Sequence, residues 1–147
     1  MDETYTFEYD IECPVARGFA WQFWTTVSNW AFDSDVESVE LDGPFASGSR
    51  GVMISRSSGR IEWKLSGVQT DKSAIVEISV PGANAQFEML FEDSGSATRI
   101  TQRVRIEGEK ARSLGQALQQ DIPEGMKRLC TKMTEAAANS TDSTSTF

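Results

Sequence analysis

Three of the chain's four tryptophans, Trp21, Trp24 and Trp30, share one short stretch with Phe19 and Phe23. A large aromatic side chain has roughly 150–250 Å² to bury. So much aromatic surface near one end of a 147-residue chain demands a broad apolar partner, either a sheet face, a long helix or both. The stretch itself reads as helical. Pro14 suits the first turn of a helix, where its missing N–H costs nothing. Val15, Phe19 and Phe23 follow at helical spacing with Trp24 on their flank. Ser28 suits the cap of a second short helical turn that carries Trp30.

The partner surface is legible in the period-two patterns that surround the stretch. Residues 5–12 alternate, with Tyr5, Phe7, Tyr9 and Ile11 on one face and Thr6, Glu8, Asp10 and Glu12 on the other. Further strands are predicted over residues 36–41, 50–56, 60–68, 73–80, 85–92 and 98–107. Glycine-rich turns separate them, including Gly43 to Gly48, Ser57-Ser58-Gly59, Pro81-Gly82 and Asp93 to Ser96. Short loops between consecutive strands imply an antiparallel meander. After Gly108 the period changes to that of a helix. Ala111, Leu114 and Leu118 form one stripe, continued by Ile122, Met126, Leu129, Cys130 and Met133 to Ala137. Pro123 lies inside this run and predicts a kink or a restart. The pattern predicts an α+β domain over residues 1–138: a curved seven-stranded antiparallel sheet around a long C-terminal helix, with two short helices between strands 1 and 2. The Ser/Thr-rich residues 139–147 predict a disordered tail.

Composition narrows the chemistry. The formal net charge of −8 opposes binding to nucleic acid and to anionic membrane surfaces. Arg99, Arg103 and Arg105 share one strand face, where neighbouring acids are expected to neutralise them; the alternation leaves open which face turns inward, and the other arrangement would set Arg103 or Arg105 against an anionic or carbonyl-bearing ligand. No apolar run is long enough to span a bilayer. Met1, Asp2 and Glu3 lack a secretory or transit pattern, so a cytoplasmic protein without stable membrane insertion is expected. The chain has no histidine, which removes Ser-His-Asp and Cys-His nucleophiles and histidine-ligated metals. No metal site and no cofactor are expected. Acid or base work falls to carboxylates, Lys, Tyr or Cys. The two cysteines, Cys13 and Cys130, read as free thiols that become neighbours if the first strand meets the last helix.

The remaining candidates each admit two readings. Phe87, Met89 and Phe91 alternate on one strand, and Ile61, Trp63 and Leu65 on another. Such rows form either core or the wall of a pocket. Asp33, Asp35 and Glu37 follow the tryptophans, either as a solvated acidic loop or as carboxylates whose pKa burial would raise. The loop from Gly43 to Gly51 has no G-x-G-x-x-G and no lysine, so its glycines serve turn geometry rather than phosphate binding.

Several segments together resemble a known superfamily. They are Cys13-Pro14-Val15-Ala16 leading into Phe19 to Trp24, Val27-Ser28-Asn29-Trp30, Val36 to Leu41, Gly43-Pro44-Phe45 and Gly48-Ser49-Arg50-Gly51. With the element order, they resemble the SRPBCC superfamily of START-like lipid-transfer, polyketide cyclase/dehydrase and birch-pollen-allergen-like proteins, and within it the bacterial polyketide cyclase/dehydrase-like branch. The resemblance spans roughly residues 5–138. It implies the helix-grip fold, in which the sheet wraps the last helix and leaves a cavity between them. The implied function is binding or carrying a small hydrophobic molecule. The alternatives are an enzyme of the cyclase/dehydrase kind and a protein-interaction module of the same fold. The cavity residues implied are Trp24, Trp30, Trp63, Phe87, Met89, Met126 and Leu129, with Trp21 as scaffold. Motion around Pro123 and the Gly43 to Gly48 loop would gate entry. No catalytic residue is assigned, and the oligomeric state is left open.

Overall fold

The computed structural model describes the backbone of residues 3–32, 36–57 and 59–145, with side chains for 3–30, 36–57 and 59–139. The chain runs β1 (Glu3–Cys13), α1 (Arg17–Thr25), a 3-10 turn (Val27–Phe32), β2 (Val36–Asp42), β3 (Arg50–Ser55), β4 (Gly59–Gln69), β5 (Ser73–Val80), β6 (Ala83–Ser94), β7 (Ala97–Gly108) and α2 (Ala111–Ser145). The second of the two short helical segments is thus a 3-10 turn. The seven strands form one curved antiparallel sheet in the order β1-β7-β6-β5-β4-β3-β2. Strands β2 to β7 are the expected meander. β1 returns beside β7, in register from Glu3 opposite Gly108 to Cys13 opposite Thr98.

Strict alternation divides the sheet into two faces. Trp63, Leu65, Val76, Ala85, Met89, Phe91, Ile100, Val104 and Ile106 point inward and are buried. The outer face carries the charges. Arg99 meets Glu12 at 3.4 Å and Asp10 at 3.8 Å, Arg103 meets Glu8 at 3.4 Å and Glu88 at 3.7 Å, and Arg105 meets Glu107 at 2.6 Å. The three arginines are therefore surface groups neutralised by their cross-strand and along-strand neighbours. The Ser94 hydroxyl donates to Glu12 at 2.7 Å. That bond, followed by the Arg99 guanidinium, holds the Glu12 carboxyl below its ordinary pKa. Exposed pairs of this kind contribute little stability.

α2 packs on the inner side of β1 and β7. Its approach to β1 is close because Gly115 has no side chain. A Cβ there would lie 2.2 Å from the Tyr5 ring, and the Tyr5 hydroxyl donates to Gln119 Oε1 one turn further on. The helix runs unbroken through Pro123 and does not restart there. Pro123 still removes one backbone hydrogen bond, but Ile122, Met126, Leu129 and Met133 are all buried along one stripe, and that shared burial keeps the helix continuous. Helical backbone reaches Ser145, beyond the boundary at residue 138 that composition suggests.

The two cysteines meet where the end of β1 passes α2. Cys13 Sγ lies 3.5 Å from the Cys130 carbonyl oxygen and 3.8 Å from Thr134 Oγ1. Both thiols are free. Burial, reinforced by the neighbouring Cys130, pushes the Cys13 thiol up to about 12. Cys13 is 0 % exposed whereas Cys130 is half-buried. A thiol held neutral and out of solvent is a poor nucleophile. At pH 8 a thiol-disulfide reagent should therefore titrate Cys130 in the native protein and reach Cys13 only after denaturation. Equal rates for both thiols would contradict this environment.

The helix glycines supply an opposed pair of outcomes. A Cβ added at Gly125 would meet nothing within 4 Å, so Gly125→Ala should stabilise the protein by about 0.5–1 kcal/mol through helix propensity. Gly115→Ala gains the same propensity but drives a methyl into Tyr5, and overpacking of about 1–3 kcal/mol should outweigh it. Urea unfolding of the two variants should shift in opposite directions.

Candidate functional site

The aromatic stretch folds onto the inner face of the sheet. α1 buries Ala20, Trp21 and Trp24, a different side from the Val15-Phe19-Phe23 stripe expected from spacing. Phe19 and Phe23 stay half-buried and stack on each other at 6.4 Å. The indoles present the larger apolar area, and they meet Phe91 of β6 at 5.6 Å from Trp21 and 5.7 Å from Trp24. Trp21 is buried scaffold. Thr98 on β7 fixes the entry to the helix, its hydroxyl donating to the Val15 carbonyl at 2.7 Å.

The 3-10 turn is held to the end of α1 by side chains. Asn29 Nδ2 donates to the Phe23 carbonyl at 2.9 Å, and Trp30 Nε1 donates to the Trp24 carbonyl at 2.6 Å. These bonds satisfy carbonyls that a helix end leaves without partners. They also stack the Trp24 and Trp30 rings at 5.6 Å and 26°. Trp30 then meets Trp63 of β4 at 4.9 Å. Phe45, from the loop before β3, closes the group edge-on at 5.9 Å from Trp21 and 5.4 Å from Trp24.

Trp63 has room because its cross-strand partner on β3 is Gly51. A Cβ at Gly51 would lie 2.2 Å from Trp63 Cζ2 and 2.3 Å from Cε2, so the indole edge lies against the β3 backbone. Trp63 is 2 % exposed. Its Nε1 is buried and has no hydrogen-bond partner among the described residues. On the opposite strand Trp63 faces Ile78, which is half-buried.

Ile78 belongs to a second part of the inner face. Met53, Ile78 and Phe87 point inward from β3, β5 and β6 and remain half-buried, as do Leu114 and Leu118 on α2. Phe87 sits in the middle of the sheet between buried Val76 and Val104 and is itself only partly buried. The inner face therefore has an aromatic end whose indoles are buried and a second part whose apolar side chains are half-buried. Of the residues expected at a cavity, Trp24, Trp30 and Trp63 come together in one stack at the aromatic end. Met89, Met126 and Leu129 are buried core, and Phe87 is half-buried. Ile78, Leu114 and Leu118 are not singled out by sequence. The signal available is their membership of inward-facing and helix-stripe positions, which core residues share.

The Gly43 to Gly48 loop is tied down rather than free to gate. Gly48 N donates to the Leu65 carbonyl at 2.8 Å, Val68 N donates to Ser47 Oγ at 3.0 Å, and Phe45 packs into the indoles. Asp33 and Asp35 lie outside the described residues. Glu37 is exposed and meets Arg56 at 3.7 Å, which places it on the surface. The ionisable groups facing inward from the middle of β1 are Tyr5 and Tyr9. Among the described residues no three Cys, Asp or Glu side chains come together as a metal site. On the outer face of β2 to β5 a groove of about 670 Å³ is lined chiefly by Glu40, Asp42, Arg50, Glu62, Lys64 and Glu77, and also borders Gly51 and Trp63. Among the described residues no helix is long and apolar enough to cross a membrane.

The fold is found in solved structures. The chain has the helix-grip fold of the birch-pollen-allergen-like proteins. Ara h 8.0201 matches with a TM-score of 0.75 at 14% identity, over 90% of this chain and 99% of that one. Norcoclaurine synthase from Thalictrum flavum, in complex with dopamine and hydroxybenzaldehyde, matches with a TM-score of 0.71 at 10% identity, over 91% and 88% of the two chains. A protein of unknown function from Staphylococcus aureus, SA2116, matches with a TM-score of 0.68 at 16% identity, over 95% and 98%. These are the SRPBCC superfamily that the sequence resembles, and at such identities the likeness is one of fold. The sequence matches no family model and no curated protein.

The Gly51–Trp63 contact has a direct consequence. Gly51→Ala should displace the Trp63 ring, lower the near-ultraviolet circular dichroism of the indole stack and destabilise the protein by about 1–3 kcal/mol. An unchanged spectrum would mean that the ring does not rest on β3.

Proposed function

We propose that the protein binds or carries a small hydrophobic molecule in the trough between the curved sheet and α2. The observation that carries this reading is the shared partial burial of Phe87, Ile78, Met53, Leu114 and Leu118 on the inner face, beside the buried indoles of Trp24, Trp30 and Trp63. Apolar side chains open to solvent within a concave wall are the usual lining of a ligand site. The expected contacts are Phe87, Ile78, Leu114 and Leu118 along the trough and Trp63 with Trp30 and Trp24 at its closed end. Met89, Met126 and Leu129 stand behind them as adaptable packing. Entry is assigned to movement of α2, whose Pro123 and Gly125 weaken its local hydrogen bonding. The protein is read as cytoplasmic.

A carrier is favoured over a cyclase/dehydrase-type enzyme by the inner face itself. Acid–base chemistry needs a positioned acid or base, and the edge strand β1 turns Tyr5 and Tyr9 inward, with the Tyr5 hydroxyl already engaged by Gln119. An interaction module would call for a large exposed apolar patch, whereas the sole large apolar residue classed as exposed among those described is Val80.

A fluorescent apolar probe, 1-anilinonaphthalene-8-sulfonate, should bind the native protein with a blue shift. Ile78→Trp, which fills the trough, should weaken that binding at least tenfold while the unfolding free energy from urea titration stays within about 1 kcal/mol of the parent, as expected at a half-buried site. A native protein that binds neither this probe nor any co-purifying molecule seen by native mass spectrometry would overturn the reading.

A further inference from the structure

We infer that Gln102, with Tyr9 beside it, is the polar anchor of the inner face, and that the molecule held there is an uncharged apolar body bearing one hydroxyl group. The inference rests on the proposed trough and names the chemistry of its occupant. The inward positions of β7 are Thr98, Ile100, Gln102, Val104 and Ile106, and of these Gln102 alone is half-buried. It stands between Tyr9 on β1 and Met89 on β6. Tyr9 is half-buried as well. Neither the Gln102 carboxamide nor the Tyr9 hydroxyl has a hydrogen-bond partner among the described residues. The inward hydroxyls of Thr98 and Tyr5, by contrast, are both spent: Thr98 donates to the Val15 carbonyl at 2.7 Å, and Tyr5 donates to Gln119. An amide or hydroxyl taken out of water without a partner costs free energy. Leu or Met would fill the place of Gln102 without that cost.

The register puts both groups beside Phe87. Phe87 lies opposite Val104 and Met89 lies opposite Gln102, so Gln102 and Phe87 are diagonal neighbours on the inner face. Such neighbours are about 7–8 Å apart, within reach of long side chains. Tyr9, Gln102 and Phe87 are thus adjoining inward positions on β1, β7 and β6, and all three are half-buried. A guest that covers Phe87 and expels solvent from this stretch must bond the carboxamide and the phenol or leave them unmet. The two offer donors and acceptors together. A hydroxyl also donates and accepts, so it satisfies both partners at once, whereas a ketone oxygen only accepts. The charge of the guest follows from its surroundings. Ile100, Val104, Met89 and Phe87, which surround Gln102 on this face, are apolar, and the adjacent Arg103 faces outward into Glu8 and Glu88. A charged group would give up its hydration for two neutral partners, which does not repay the transfer.

The test uses three naphthalenes that differ in one substituent, 2-naphthol, 2-methylnaphthalene and 2-naphthoate, with affinity read by calorimetry at neutral pH. Gln102→Met keeps the size of the side chain and removes its polar atoms. It should weaken 2-naphthol about tenfold, the worth of one or two neutral hydrogen bonds, and leave 2-methylnaphthalene bound as tightly as before or more so. Tyr9→Phe should weaken 2-naphthol as well. In the wild-type protein 2-naphthoate should bind least of the three. Should Gln102→Met fail to fold, the side-chain amide signals of Gln102 in the ¹⁵N-labelled wild-type protein give the same answer. They should move downfield with 2-naphthol and not with 2-methylnaphthalene. Equal weakening of 2-naphthol and 2-methylnaphthalene, unchanged 2-naphthol affinity in either variant, no selective amide shift, or 2-naphthoate binding as tightly as 2-naphthol would overturn the inference while leaving the trough intact. Failure of both neutral probes to bind, together with failure of the anilinonaphthalene probe, would instead remove the hydrophobic-ligand reading on which it stands.

Discussion

The contact between Trp30 and Trp63 joins the helical segment to the far half of the sheet. Trp30 is positioned by its own hydrogen bond to the Trp24 carbonyl, and Trp63 by the absence of a side chain at Gly51. Together they connect the segment that follows β1 with strands β3 and β4, near the opposite edge of the sheet. An open antiparallel sheet twists but has no intrinsic reason to close around a helix. Here aromatic burial supplies it. The indole and phenyl rings of Trp21, Trp24, Trp30, Phe45, Trp63 and Phe91 form a continuous wedge at one end of the curve, and α2 grips the other edge through β1.

That division of labour explains why the inner face is not uniformly filled. α2 is held against β1 by a glycine-to-ring approach and a tyrosine–glutamine bond. Held there, its side chains Leu114 and Leu118 and the sheet residues Ile78 and Phe87 remain half-buried. Core packing elsewhere is dense and apolar, as the burial of Leu65, Ile100, Ile106 and Met133 attests.

Much of this fold is legible in the sequence. β-rich runs and turn residues identify all seven strands, and alternation separates the faces of those over residues 5–12, 60–68, 85–92 and 98–107, because a strand buried on one side must repeat every second residue; which face of the last turns inward is decided by β1 and α2 packing on it. The long amphipathic helix and the antiparallel meander are legible for the same reason. Other features are not. The buried side of α1 is set by Trp21 and Trp24 finding Phe91, and a helix with rings on two sides cannot announce which side will meet the sheet. Pro123 reads as a break, yet burial on both sides of it keeps the helix whole. Of the candidate site, Trp24, Trp30, Trp63 and Phe87 are recognisable as inward aromatics. Whether each is core or lining depends on where α2 rests, and no local pattern encodes that distance.

The sequence by itself determined the order of the elements, the two faces of the sheet and the aromatic bulk that must be buried between them, since these follow from local periodicity and solvation. Only the tertiary structure decided which rings touch, that Gly51 opposes Trp63, that the Trp63 N–H is left without a partner among the described residues while that of Trp30 is satisfied, and which inward side chains stay half-buried. Those are properties of pairs of residues far apart in the chain. They are fixed when the helices, the two sheet edges and the space between them are assembled together.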